Sequence, residues 1–246
     1  MKRDPIVAVD ADAAWRRIHA AACAPYRRAG KFAWYFARGK LRWDPVFRAA
    51  LEHGWLGGDA RILDLGCGQG LLVSLVLAAQ QSALDGHWPA EWATPPLPLS
   101  LHGVELMPRD VDRARAALGS RAGFMAGDIR QAELPGADTV VLLDVIHYID
   151  PLEQERVLSR IRQSLSSQGR LLMRVGDAAG GRRYRFSQWA DRVITHVRGH
   201  RAAPSHTRSV DEWRECLARL GFEVESKPMS AGTPFANVLL LAKVVR

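Results

Sequence analysis

The residues Asp64-Leu-Gly-Cys-Gly-Gln-Gly70 carry the clearest chemical signal in this chain. Their form is D-x-G-x-G-x-G. Glycine is needed where a backbone turns with positive φ or where a ligand approaches it closely. The apolar run Arg61 to Leu65 precedes the turn and the helix-forming run Leu71 to Leu84 follows it, so the turn ends at a helix N-terminus with free N–H groups. This arrangement suits a nucleoside-containing ligand. The spacing is neither G-x-G-x-x-G nor a triphosphate loop with Gly-Lys-Ser/Thr. Asp64 would repel a pyrophosphate but accept a cationic ammonium or sulfonium, which makes S-adenosylmethionine the preferred ligand, with S-adenosylhomocysteine as product. Asp64, Gly66, Cys67, Gly68, Gln69 and Gly70 are the expected cradle.

Three more carboxylates fall near the ends of apolar runs: Glu105, Asp128 and Asp144. In an open α/β sheet the strand ends line the ligand crevice, so these acids converge on one place. Glu105, with Leu106 and Met107 after it, is expected to accept from two ribose hydroxyls. Asp128, followed by Ile129, is expected to accept from the adenine amino group, and Asp144 and Val145 complete the cofactor set. His147 is the candidate base because histidine titrates near neutral pH. Tyr148 would position an acceptor, and His206 is a distant alternative base.

These residues need a scaffold of alternating strands and helices. Strands are expected over 61–65, 101–106, 123–126, 139–145 and 170–175, with helices from Leu71, from Pro108 and over 152–165. That order argues for a doubly wound parallel α/β sheet of Rossmann-like type. A helix over 210–220 and strands over 222–227 and 235–245 follow, joined by a link short enough only for an antiparallel pair. Residues 1–58, rich in aromatic residues, read as an N-terminal helical cap on a catalytic domain at 59–246. Residues 82–100 hold four prolines and two tryptophans and read as a surface insertion.

The 246 residues carry a net charge of +8. Between Gly181 and Arg208 seven arginines face one acid, Asp191, so 178–209 reads as a lid or acceptor segment for an anionic partner. Three scattered cysteines suggest neither disulfides nor a metal site, and the absence of a long apolar run points to a cytoplasmic chain without a membrane span. RNA stays as a second possible acceptor, ranked lower because no nucleic-acid-binding motif is visible. An NAD(P)-dependent oxidoreductase and a non-catalytic binding module are the competing functional classes.

On Ile62-Leu-Asp-Leu-Gly-Cys-Gly-Gln-Gly70, Gly103-Val-Glu-Leu106, Gly127-Asp-Ile129, Leu142-Leu-Asp-Val-Ile-His-Tyr148, Asp211-Glu-Trp and Gly221-Phe-Glu-Val224, the chain resembles the class I S-adenosylmethionine-dependent methyltransferases. The resemblance implies a seven-stranded sheet whose last strand is antiparallel. Ser166-Ser-Gln-Gly169 departs from the usual Pro-Gly-Gly turn. Phe36 to Phe47, Val175 to Gly181 and Pro228 to Asn237 further resemble bacterial methyltransferases of aryl-polyene and related pigment pathways. That likeness implies secondary metabolism and a small aromatic or carrier-tethered acceptor, methylated on oxygen or carbon.

Overall fold

The computed structural model describes residues 9–58, 60–177, 206–232 and 236–245. Local signals set the helix starts. Helix α1, Ala11–Cys23, opens on Asp10, whose Oδ1 accepts from the Ala13 N–H at 2.7 Å. Helix α2, Lys31–Trp43, ends at Asp44, which in turn caps α3, Pro45–Glu52, with proline in its first turn.

The strands are β1 Arg61–Leu65, β2 Ser100–Glu105, β3 Gly123–Ala126, β4 Ala137–Leu143, β5 Leu165–Gly176, β6 Phe222–Pro228 and β7 Asn237–Val244. Helices α4 Leu71–Leu84, α5 Pro108–Leu118, α6 Pro151–Ser164 and α7 Val210–Arg219 connect them. They form one sheet in the order β3-β2-β1-β4-β5-β7-β6. The first five strands run parallel, and β7 lies antiparallel between β5 and β6. This is the expected Rossmann-like sheet with its C-terminal hairpin.

Period-two alternation divides the core. Ile62, Val141 and Leu172 face one layer, where they meet Leu72 and Leu75 of α4, Val111 of α5, and Ile18, Tyr26 and Leu41 of the cap. Leu63, Val140, Leu142 and Met173 face the other, against Val157 and Ile161 of α6 and Trp213 and Leu217 of α7. The cap therefore shares a core with the sheet.

The main boundary differences from expectation are four. Strand β4 stops at Leu143 instead of running to Val145, because Asp144 takes a left-handed φ of 59° that a strand cannot contain. Helix α6 ends at Ser164 and Leu165 opens β5, while Leu152, expected on the buried face, is exposed. Strand β7 is described from Asn237, with Phe235 outside the described residues. Of the supposed insertion, residues 82–84 complete α4. The rest is pinned: Trp92 is buried edge-on to Trp88, and the backbone N–H groups of Ala93, Leu97 and Leu99 donate to Glu52, Gly58 and Ala60. It seals the join between cap and β1. Among the described residues no helix is long and apolar enough to cross a membrane.

Candidate active site

The turn after β1 is built from three left-handed glycines, with φ of 74° at Gly66, 54° at Gly68 and 77° at Gly70. Gly66 and Cys67 N–H both donate to the Val104 carbonyl, at 2.8 and 3.1 Å, which ties the turn to β2. The two outer glycines are packed: a Cβ at Gly66 would stand 2.2 Å from Val145 Cγ2, and one at Gly70 3.0 Å from Phe124. Gly68 differs. A Cβ there would meet no atom within 4 Å, so this glycine borders open space over the strand ends.

Glu105, at the end of β2, closes the opposite side. Its Oε2 accepts from Gly68 N–H and its Oε1 from Met107 N–H, each at 2.9 Å. Cys67 and Gln69, expected in the cradle, turn their side chains away. Cys67 Sγ packs against Gly103, and the buried Gln69 Nε2 donates to the Ala33 carbonyl at 2.8 Å. Tyr26 Oη donates to the Gln69 carbonyl at 2.9 Å. The cap thus holds Gln69 from behind. Ile129 is likewise buried in the core, while Leu106 stands exposed at the rim.

Asp64 is buried within β1 and makes no ion pair with a described residue. Burial, and then the charge of Glu105, push its carboxyl up to about 7. A carboxyl raised by burial and by a neighbouring acid, at a cradle bordered by open space, fits a cationic group, which favours its ionised form. The amino acid end of S-adenosylmethionine, with its ammonium and sulfonium, has that chemistry, and Glu105 keeps lone pairs for ribose hydroxyls.

The other two acids have different partners. Asp128 is held by Arg130, whose Nε and Nη2 donate to its Oδ2 at 2.9 and 2.5 Å, and this pairing holds it below the usual carboxylate range. An adenine amino group would have to share it. Asp144, expected among the cofactor ligands, pairs with Arg174 of β5, a side chain 1% exposed, and lies 3.6 Å from Lys40 of α2. Arg174 also donates to Asp44 Oδ1 and Oδ2 at 2.5 and 2.8 Å, and Lys40 reaches Asp44 at 2.8 Å. Burial alone would raise the Asp144 carboxyl, but Arg174 and Lys40 outweigh it and hold it low. The motif reading missed this network because its members lie far apart in sequence. One signal was available: Arg174 interrupts the apolar run Leu171-Leu-Met-Arg-Val175, where an unpaired charge would be prohibitive.

His147 and Tyr148 sit on the short turn Ile146–Tyr148 just beyond Asp144, their rings 4.1 Å apart. Burial lowers the His147 pKa, with Asp144 pulling the other way, so the ring is neutral at pH 7. Tyr148 is exposed. His206, distant in sequence, is brought close: its N–H donates to the His147 carbonyl at 2.8 Å. Of the expected lid, residues 178–205, including Arg182 and Arg183, lie outside the described residues. Arg208 is described and anchors α6 by donating to Gln154, Glu155 and the Pro151 carbonyl.

This sheet order, with an antiparallel strand inserted beside β5 and a glycine turn at β1, defines an α/β domain that holds a nucleoside cofactor at its strand ends. Residues 14–227 match the family model described as methyltransferase domain, and the chain belongs to that family. Among the solved structures that share the fold, one holds S-adenosylmethionine and another S-adenosylhomocysteine. A carboxy-S-adenosyl-L-methionine synthase of Chromohalobacter salexigens is 31% identical over 119 residues, covering 46% of this chain and 39% of the relative. The chain thus matches well under half the length of that curated relative. An O-methyltransferase family protein of Burkholderia thailandensis shares the fold at a TM-score of 0.61 and 18% identity, over 96% of this chain and 63% of that one. Magnesium protoporphyrin IX methyltransferase of Synechocystis does so at 0.55 and 17%, over 96% and 100%.

Proposed function

We propose that this chain methylates a small, anionic, aromatic or carrier-tethered acceptor on oxygen or carbon. The observation that carries the reading is the course of α2 over the strand ends. Its Phe32 lies under Arg113 of α5, its Ala33 carbonyl meets Gln69, and its Lys40 meets Asp144. Positions 32, 36 and 40 follow one another along one side of the helix, and Phe32 and Phe36 stack at 6.0 Å. Aromatic rings and an ammonium group along one side of this helix suit a planar acid. The arginine-rich run from Arg182 to Arg201 supports an anionic acceptor further.

Bound at the turn, S-adenosylmethionine supplies an activated methyl carbon. The protein's part is to align the acceptor with it and to exclude water. The backbone at Gly68 and the acids Asp64 and Glu105 orient the donor. His147, neutral at pH 7, takes the acceptor's proton, and Tyr148 holds the acceptor in place. Asp144, kept ionised by Arg174, stabilises the imidazolium that forms.

The test is incubation of the protein with cell extract and methyl-labelled cofactor, read by mass spectrometry. Label is expected in an aromatic acid or an acyl carrier, at a rate that falls with added salt. Label confined to RNA, or salt-insensitive methylation of a neutral compound, would overturn the reading.

A further inference from the structure

A cavity lies outside the crevice, on the outer surface of the cap. It is a half-open groove of about 340 Å³ lined by Trp15, Arg16 and His19 of α1, Arg42 and Trp43 of α2, and Arg48 of α3, with Asp12 at its edge. None of these residues belongs to the glycine turn, to the strand-end acids or to the network around Arg174.

The groove is not charge-neutral. Arg48 is committed, donating to Glu52 and pairing with Asp12, each at 2.7 Å. Arg16 and Asp10 are both exposed and 3.9 Å apart, a contact worth little in water. Arg42 makes no hydrogen bond or ion pair with a described residue, and its guanidinium lies over the Trp43 ring at 5.2 Å, within cation–π reach. Trp43 itself is 71% exposed. On the other side, Trp15 and His19 lie 6.1 Å apart with their rings tilted. The exposed Trp43, the partly buried Trp15 and cations of unspent charge form a concave site large enough for a small ligand.

We infer that this groove binds a planar aromatic anion, its ring laid against Trp43 or Trp15 and its carboxylate or phosphate on Arg42 and Arg16. The Arg42 guanidinium is already held against the Trp43 ring, and its planar set of donors can pair with a carboxylate or phosphate bidentately. The site is separate from the acceptor crevice and does not depend on which acceptor is methylated.

The experiment is titration calorimetry of the full chain with 2-naphthoate and, separately, 1-naphthyl phosphate, each with and without saturating S-adenosylhomocysteine. The neutral control is 2-naphthamide. One-site binding with Kd below about 1 mM is expected for at least one anion, unchanged by S-adenosylhomocysteine and at least tenfold weaker for the amide. Which anion binds more tightly separates a carboxylate from a phosphate ligand. Arg42→Gln and Trp43→Leu should each weaken binding about tenfold or more, with circular dichroism and affinity for S-adenosylhomocysteine intact. No saturable binding of either anion, equal binding of the amide, competition with S-adenosylhomocysteine, or full binding by both variants would each overturn the proposal.

Discussion

At the scale of single residues, the glycine turn makes separable demands. Gly66 is both left-handed and in contact with Val145, so Gly66→Ala should cost roughly 1–3 kcal/mol of stability through overpacking, in addition to backbone strain. Gly68→Ala meets no neighbour and should cost only about 1 kcal/mol, yet its methyl group would intrude on the cradle and weaken cofactor binding at least tenfold. Thermal melts and calorimetry on the two variants check the contrast. Asp64 adds a pH signature. Its carboxyl is raised to about 7 in the fold, so the folded chain keeps a proton that the unfolded chain sheds near pH 4, and stability falls as pH rises from 4 to 7. A bound cation favours the ionised form. Affinity for S-adenosylmethionine should therefore drop by up to about tenfold per pH unit below pH 7, and Asp64→Asn should flatten that slope. His147 titrates on the acid side: burial lowers its pKa, so methyl transfer should fail only as pH drops below the ordinary histidine value of about 6.5. His147→Gln should cost about 10²–10⁴ in kcat and abolish that limb, as a pH–rate profile would show.

Between elements, the chief contact is ionic. Asp44 belongs to the cap, Asp144 to the end of β4 and Arg174 to β5, so the buried guanidinium joins three separate pieces of chain. A buried arginine that loses one of two carboxylates keeps a partly uncompensated charge. Asp44→Asn should destabilise the chain by about 3 kcal/mol, the lower end of the range for broken buried pairs, measured by urea unfolding. Acid has the same sense. Arg174 and Lys40 outweigh burial and hold the Asp44 carboxyl low, so its stabilisation is present at neutral pH and is lost as pH falls through that depressed value. The network also accounts for Asp144. It is the only non-glycine residue of left-handed φ among the described residues, and strain of that kind persists where surroundings over-determine it. Here the ion pair to Arg174 and the hydrogen bond from Asp144 N–H to the Arg174 carbonyl at 3.2 Å hold it.

For the whole molecule, the question is whether the cap is a separable unit. Ile18, Tyr26, Leu41 and Leu51 belong to the same buried cluster as Ile62 and Leu72, and Ser74 Oγ donates to the Ala22 carbonyl at 2.7 Å. We therefore propose that residues 1–58 and 59–246 form one cooperative unit, not two domains. The full chain should unfold in a single calorimetric transition, and removal of residues 1–58 should leave a product that lacks cooperative melting and exposes apolar surface to dye. Two resolved transitions would divide the chain at the boundary expected from the sequence.

Much of this was legible in the residue order. Strand β1, the turn and α4 announce themselves because apolar period, glycine spacing and helix formers are local properties, and Glu105 follows because it stands at the end of the next apolar run. The alternation of strands and helices carried the parallel sheet, and the seven residues from Pro228 to Pro234 were too few for anything but an antiparallel return. What the order could not carry was partnership across distance. Asp128 and Asp144 look alike as acids near strand ends, yet Asp128 pairs with its near neighbour Arg130, whereas only the tertiary structure gives Asp144 to Arg174. Cys67 and Gln69 look like ligands by position until β2 and the cap claim their side chains. Local sequence sets backbone geometry, whereas the pairing of charges and the burial of side chains are decided by segments that meet only when the chain is folded.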